Sequence, residues 1–151
     1  NLGTNALKSA LFQTGRPVLM CPPSESIAAD FGQHVAVGWN GSLEAGRSVA
    51  LSHDIVAAAD RVTILAAGKG EPHGATADEL VEYYRLRGIA AGVHRFTARN
   101  PGAALLEKVS EIGATLLVMG AYGHSHERET LFGGNTQTIV DHAEIPVVMA
   151  H

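Results

Sequence analysis

Cysteine, tryptophan and long apolar runs are scarce in this chain of 151 residues. The one cysteine, Cys21, cannot form an internal disulfide, which excludes a disulfide-stapled secreted scaffold and fits a reducing compartment. No apolar run approaches the roughly 20 residues that a membrane-spanning helix needs. These absences predict a soluble, cytoplasmic domain with no membrane partner.

Charge of either sign is also limited. Asp and Glu number 15 against 11 Lys and Arg, which gives a net charge of −4 at pH 7. This balance argues against the basic surface that nucleic-acid binding requires. Hydrophobic residues make up 46% of the chain, which excludes a disordered chain, and the length suits one domain with a sizeable core.

Predicted strands alternate with predicted helices over most of the chain. Continuous apolar runs, without alternation, are typical of parallel strands covered by helices on both faces. The pattern over residues 33–151 therefore predicts a doubly wound α/β domain with a five-stranded parallel sheet. In the strand order 3-2-1-4-5, ligands bind between the first and fourth strands, where the sheet reverses direction. The predicted strands are residues 34–39, 61–67, 89–97, 115–119 and 146–150, and the predicted helices are residues 43–59, 76–87, 102–112 and 135–142.

The opening segment repeats the pattern with which the chain ends. A predicted helix over residues 7–14 and a short strand over 18–21 lie within LFQTGRPVLMCP, which resembles VDHAEIPVVMAH at the end of the chain. Pro17 and Pro146 then occupy equivalent positions, 129 residues apart. Either the likeness is chance, because helix–Pro–strand is a common pattern, or residues 1–26 are the helix-strand tail of a preceding copy of the domain plus a linker. We adopt the second as a hypothesis.

The strongest candidate for a binding site is a glycine pattern after the fourth predicted strand. Gly120 and Gly123 follow that strand, and Gly133 and Gly134 come just before the helix that begins near Asn135. Glycines let the backbone turn sharply and approach a ligand, and the N–H groups of a helix N-terminus bind phosphate. The pattern is neither a Walker sequence nor GxGxxG. Taken alone, these glycines also fit a purely structural role in turns and caps.

The pattern G-x2-G-x9-G resembles the nucleotide-binding signature of the universal stress protein family. Three further features have the order and spacing typical of that family: VAV leading into Asn40-Gly41-Ser42, Asn100-Pro101 before the third helix, and IPVV in the last strand. The resemblance covers about residues 33–151. The opening segment resembles the end of a preceding domain in the tandem members of the family.

The resemblance implies a Rossmann-like domain that binds an adenine nucleotide and often dimerises along its last strand. ATP is the expected ligand, with ADP or AMP as alternatives and Mg²⁺ as an accompanying ion. By position, Asn40 would lie near the adenine and ribose, and Ala67 would offer backbone groups to the adenine edge. The residues expected to wrap the ribose and phosphates are Gly120, Gly123, Gly133, Gly134 and Asn135.

Two residues depart from the family pattern. Asn40 stands where ATP-binding members commonly have Asp, so the hydrogen-bonding capacity is kept and the charge is lost. Gly134 stands where the signature has Ser or Thr, so one hydroxyl donor to phosphate is missing. Losing a hydrogen bond to a charged group costs about 1.5–3 kcal/mol, which is roughly one to two decades of affinity. We therefore expect weakened rather than abolished binding.

Other chemistry-bearing residues are less informative. Trp39 ends the first strand and either stacks on a base or anchors the core. His124 and His126 supply only part of the ligand set that zinc requires, so a solvated loop, or a phosphate contact by His124 or Arg128, is expected before a metal site. No ordered nucleophile–base set and no paired carboxylates are evident.

These observations predict a nucleotide-binding stress-response or signalling module with no catalytic residues and at most slow ATP hydrolysis. The main alternative is a nucleotide-free, dimerising interaction module of the same fold. In it, the loop that carries the glycine pattern (residues 120–134, the glycine loop) is structural and the last strand mediates assembly. In an intact tandem protein, the opening strand (residues 18–21) could occupy the edge beside the last strand. A metal-dependent hydrolase that uses His124 and His126 is a third and weaker alternative.

Overall fold

The computed structural model describes residues 2–23, 27–68, 74–123 and 135–151. Within these ranges, no helix is both long enough and apolar enough to cross a membrane. The helices are α1 (Leu2–Thr14), α2 (Leu43–Leu51), α3 (His53–Ala57), α4 (Ala77–Arg85), α5 (Pro101–Glu111) and α6 (Thr136–His142). The strands are β1 (Val18–Met20), β2 (His34–Trp39), β3 (Arg61–Ala67), β4 (Ala91–Phe96), β5 (Leu116–Gly120) and β6 (Val147–Ala150).

The sheet has six strands in the order β1-β6-β5-β2-β3-β4, so the prediction of five strands is wrong. Strands β2 to β6 are parallel to one another. The additional strand that was not predicted as part of the sheet is β1. It is antiparallel to β6, with Leu19 opposite Val148, so the sheet is mixed rather than all parallel. Without β1, β6 would leave a row of unpaired backbone groups at the edge, and the opening segment covers it. The opening strand thus lies beside the last strand.

Helices cover both faces of the sheet, as predicted. One core packs α2, α3 and α4 against the sheet, and the other packs α1, α5 and α6 against the opposite face. The strands alternate between the two cores: Val35 and Val37 belong to the first, and Ala36 belongs to the second. Because both faces are buried, the strand ends are the places where the sheet can meet a ligand.

The predicted helix start signals have the expected local chemistry. Thr76 accepts a hydrogen bond from the backbone N–H of Glu79, whose carboxylate accepts one from the Thr76 N–H, and this forms a capping box for α4. Asn100 caps α5 through its side-chain oxygen, with Pro101 in the first turn. These caps fix where the loops at the carboxyl ends of the strands turn back along the sheet.

The single helix predicted over residues 43–59 is two helices, α2 and α3, which meet at Ser52. The Ser48 hydroxyl donates to the Ala45 carbonyl at 2.7 Å, and the Ser52 hydroxyl lies 3.5 Å from the Val49 carbonyl. Buried serine hydroxyls that bond back to the preceding turn compete with the helix hydrogen bonds and bend the axis. The hydrophobic periodicity continues across this break, so the sequence pattern gave no sign that the helix is divided.

Candidate functional site

A cleft of about 250 Å³ lies at the carboxyl ends of β2 and β3, facing the first turn of α4. Asn40, which follows β2, and Ala67, which ends β3, both line it. Two of the residues predicted from sequence to meet a ligand are thus brought together. The other lining residues are Trp39, Ala66, Gly68, Gly74, Ala75, Thr76, Ala77, Asp78 and Arg95.

Asn40 is buried and hydrogen-bonded at this cleft. Its side chain is 5% exposed, and its Oδ1 accepts a hydrogen bond of 3.0 Å from the Ser42 backbone N–H. Ser42 in turn caps α2 by accepting from the Ala45 N–H at 3.2 Å. This is an Asx-type turn, in which a side chain takes over a backbone hydrogen bond. The direction of α2 is therefore tied to the position of Asn40.

Trp39 is part of the core rather than a free stacking surface. It is 7% exposed, and its indole Nε1–H donates to the Ala75 carbonyl at 2.9 Å. The hydrogen bond fastens the segment that leads into α4 against the end of β2. Because the indole packs in the core and also borders the cleft, Trp39 shapes the cleft wall as an anchor residue.

Arg95 and Asp78 also line the cleft, and the sequence motifs did not single them out. Arg95 Nη2 lies 2.7 Å from Asp78 Oδ1, which connects the end of β4 to the first turn of α4. Both side chains are largely exposed, so the pair stabilises the fold by less than about 1 kcal/mol and places a cation and an anion at the cleft rim. The signal available in the sequence was the position of Arg95 at the carboxyl end of the third predicted strand.

Gly120 lies at the end of β5 against the first turn of α2. A Cβ on Gly120 would meet the Ala45 nitrogen and the Glu44 carbonyl carbon, both at 2.5 Å. No real Cβ approaches backbone so closely, so this position requires glycine for packing within the protein. The space beside its Cα is filled by α2, and Gly120 does not line the 250 Å³ cleft.

The segment after Gly120 carries an unusual backbone conformation. Tyr122 has a φ of +51°, and among the described residues it alone has a positive φ without being glycine. Its N–H donates to the Thr136 hydroxyl at 3.2 Å, which joins the two ends of the glycine loop. Burial, followed by the negative charge of Asp141, raises the pKa of the Tyr122 hydroxyl. The next residue, Gly123, is exposed.

Asn135 begins the segment that leads into α6 and is packed against α5. A Cβ on Gly102 would lie 2.7 Å from the Asn135 Cβ, so a glycine in the first turn of α5 lets the loop end approach. Gly102 was not singled out from the sequence, because a glycine inside a helix start carries no local turn signal. Gly133 and Gly134 lie outside the described residues, as do His124, His126 and Arg128.

The described residues offer no other site of comparable chemistry. Among them, no group of three or more His, Cys, Asp or Glu side chains is placed to hold a metal ion. A larger cavity of about 700 Å³ lies between α5 and α6, with apolar contributions from Leu106, Val109 and Ile145. None of the site residues predicted from sequence lines this cavity. The cleft beside Asn40 is therefore the candidate site, and it lies at β2 and β3 rather than between β2 and β5, where the sequence analysis placed the ligand.

The sequence and the fold were compared with those of known proteins. Residues 33–151 match the family model described as the universal stress protein family. No curated protein matches the chain in sequence. The family match thus covers the part of the chain from just before β2 to the end.

Several solved structures share the fold. A universal stress protein from Archaeoglobus fulgidus DSM 4304 has a TM-score of 0.72 and 23% identity over 95% of this chain, and this chain covers 54% of it. A universal stress protein solved in complex with cAMP has a TM-score of 0.61 and 27% identity over 79% of this chain and 96% of its own. An Arabidopsis thaliana family member with AMP bound is 17% identical, with a TM-score of 0.52, over 78% of this chain and 90% of its own. This chain thus spans about half of the first of these proteins.

Proposed function

This chain belongs to the universal stress protein family, and we propose that residues 33–151 bind an adenine nucleotide at the carboxyl ends of β2 and β3. The observation that carries the proposal is that Asn40 and Ala67 line one cleft. These are the two residues at the positions where the family resemblance puts the base and the ribose. The structure with bound cAMP, at 27% identity, supports an adenine nucleotide as the ligand class.

The size of the cleft indicates how much of the ligand it holds. Its volume of about 250 Å³ is below the roughly 300–1,000 Å³ of sites that enclose a whole small molecule. The base and part of the ribose fit inside, and the phosphates extend along the sheet edge towards Gly123 and Asn135. In this proposal Gly120, Gly133 and Gly134 shape the loop around the phosphates, and Gly120 acts by letting α2 approach β5.

We expect ATP, with Mg²⁺, to bind more tightly than AMP. The reason is that the N-terminus of α6 and the backbone amides of the glycine loop favour the larger negative charge of ATP. The protein then acts as a cytoplasmic nucleotide-responsive module. We expect any ATP hydrolysis to be slow, because the sequence has no Walker lysine and no evident metal-coordinating acidic pair.

The test is calorimetric titration of the chain with ATP, ADP, AMP and cAMP, with and without Mg²⁺, together with analysis of small molecules released on denaturation. We expect saturable binding and near-stoichiometric adenine nucleotide in fresh protein. Asn40→Leu removes the polar group from the cleft and should weaken binding, whereas the exposed Asn5→Leu should not. The absence of heat and of a thermal shift at millimolar nucleotide contradicts the proposal.

The alternative, a nucleotide-free interaction module, is favoured by one specific observation. The oxygen of Asn40 already accepts from Ser42, and the space beside Gly120 is already filled by α2, so both residues have structural roles. In that case the chain binds no nucleotide, and its assembly depends on the β1 edge of the sheet. Sedimentation at increasing concentration, with and without ATP, separates the two functions.

We also propose that residues 1–26 are the helix-strand tail of a preceding domain of the same fold plus a linker. Leu19 is 51% exposed, whereas Val148, its equivalent in the repeat, is 2% exposed beneath α2. A preceding domain would supply the helix that covers Leu19. The Archaeoglobus protein, which matches 95% of this chain with about half of its own length, supports this arrangement. A parent reading frame or intact mass that begins at Asn1 contradicts it.

A further inference from the structure

Helix α1 packs on the start of the glycine loop. The ring of Phe12 lies 5.7 Å from the ring of Tyr122, and Lys8 Nζ lies 5.3 Å from the centre of that ring. Phe12 also contacts His151 edge-on, with ring centroids 4.3 Å apart. Leu11 anchors the helix in the core at 2% exposure. An element remote in sequence thus covers the residue that opens the loop.

The covered residue is the one with the strained backbone. A non-glycine residue in the left-handed region is uncommon, and such a conformation persists where the surroundings hold it. Here the Tyr122 N–H is bonded to Thr136, and both backbone groups of Ala121 are bonded to the end of the chain. The Ala121 N–H donates to the Ala150 carbonyl at 2.8 Å, and His151 Nδ1 donates to the Ala121 carbonyl at 3.0 Å. The α1 side chains complete this enclosure from the outside.

We propose that Phe12 and Lys8 of α1 are positioning residues that hold Tyr122 in its left-handed conformation and so set the affinity of the nucleotide site. We call this contact the α1 latch. It rests on the proposed function, because the ligand it regulates is the adenine nucleotide. The latch acts on the described ends of the loop, Tyr122 and Thr136, which one hydrogen bond joins.

The sequence repeat gives the latch a direction. With the spacing of 129 residues, Phe12 corresponds to Asp141 and Lys8 corresponds to Gln137. In α6 these two side chains bond to each other, with Gln137 Nε2 donating to Asp141 Oδ1 at 2.8 Å. The equivalent helix of this domain therefore lacks both the aromatic ring and the cation. If α1 belongs to a preceding domain, that domain controls this site.

The first test is Phe12→Ala, with Phe31→Ala as the matched control because Phe31 is similarly exposed and lies outside the latch. The readouts are the dissociation constant for ATP and the hydrogen-exchange rate of the Tyr122 amide. We expect Phe12→Ala to speed exchange at Tyr122 and to weaken ATP binding by about five- to thirty-fold, the equivalent of losing the left-handed conformation. Phe31→Ala should change neither.

The second test separates conformation from contact. Tyr122→Gly adopts positive φ without strain, so it should bind ATP more tightly than Tyr122→Ala. Adding Phe12→Ala to Tyr122→Gly should then change the affinity by less than about two-fold. If Phe12→Ala alone leaves either the affinity or the Tyr122 exchange unchanged, the latch is overturned while the proposed function stands. If the wild-type chain binds no nucleotide, the proposed function itself fails, and the latch fails with it as a regulator.

Discussion

Leu19 and Val148 face each other at the centre of the antiparallel pair formed by β1 and β6. The same two residues occupy equivalent positions in the similar segments at the two ends of the chain. On either side of them, Val18 pairs with Met149 and Met20 pairs with Val147, so exchanging the two repeat segments reproduces the same register. A symmetric contact between two copies of one segment has this property. The pairing of β1 with β6 therefore has local two-fold symmetry.

The close approach of Gly120 to α2 predicts a stability effect. Gly120→Ala places a methyl group 2.5 Å from the α2 backbone, and we expect the free energy of unfolding to fall by about 1–3 kcal/mol. Gly46 lies inside α2, and a methyl group there would meet nothing within 4 Å, so Gly46→Ala should raise stability by about 0.5–1 kcal/mol. Urea denaturation measures both. Equal effects of the two substitutions would contradict the packing argument.

Asn40 predicts separate effects on folding and on binding. Asn40→Ala removes the acceptor for the Ser42 N–H and should lower stability by about 1 kcal/mol, whereas Asn40→Asp keeps the acceptor. The carboxylate should also tighten nucleotide binding about ten-fold, because it accepts stronger hydrogen bonds from the ribose hydroxyls. Thermal melts and calorimetry measure the two quantities. Unchanged affinity in Asn40→Asp would remove Asn40 from the ligand contacts.

The position of Trp39 at the cleft predicts a change in tryptophan fluorescence when a ligand binds. Trp39 is the single tryptophan of the chain and borders the cleft, so its fluorescence reports on the cleft without a label. We expect ATP and AMP to change the emission with midpoints that match their calorimetric dissociation constants. Tripolyphosphate, which has no base, should leave the emission unchanged. A response to tripolyphosphate as large as that to ATP would place the ligand's base outside the cleft.

The lowered pKa of His34 predicts that stability depends on pH. Burial, and next the charge of Arg61, lowers the pKa of His34 below its ordinary value of 6.5, and its Nε2 lies 2.9 Å from the Thr63 hydroxyl. The unfolded chain therefore binds the proton more readily than the folded chain, and stability is lost as the pH falls below about 6.5. His34→Gln should flatten the fall in melting temperature between about pH 7.5 and about pH 5.5, because the titrating group is gone. The exposed His94→Gln serves as the control and should keep the wild-type slope.

Much of the fold could be predicted from local signals. The capping box at Thr76 and the Asn100-Pro101 start act within one turn of helix, so the residues that form them are adjacent in sequence. The buried strands were visible as apolar runs because both of their faces are covered. The break at Ser52 was missed because it depends on which way two hydroxyls point, and the apolar spacing is the same in either case.

The sequence by itself determined the alternation of strands and helices and the family, since each strand, helix cap and family motif consists of residues close together in the chain and the motifs follow one another in a fixed order. The tertiary structure decided that Gly120 contacts α2, that Trp39 is fastened to Ala75, and that α1 covers Tyr122. Each of these contacts joins segments far apart in sequence. The geometry of these contacts depends on how the helices pack on the sheet, and no local pattern of residues encodes that packing.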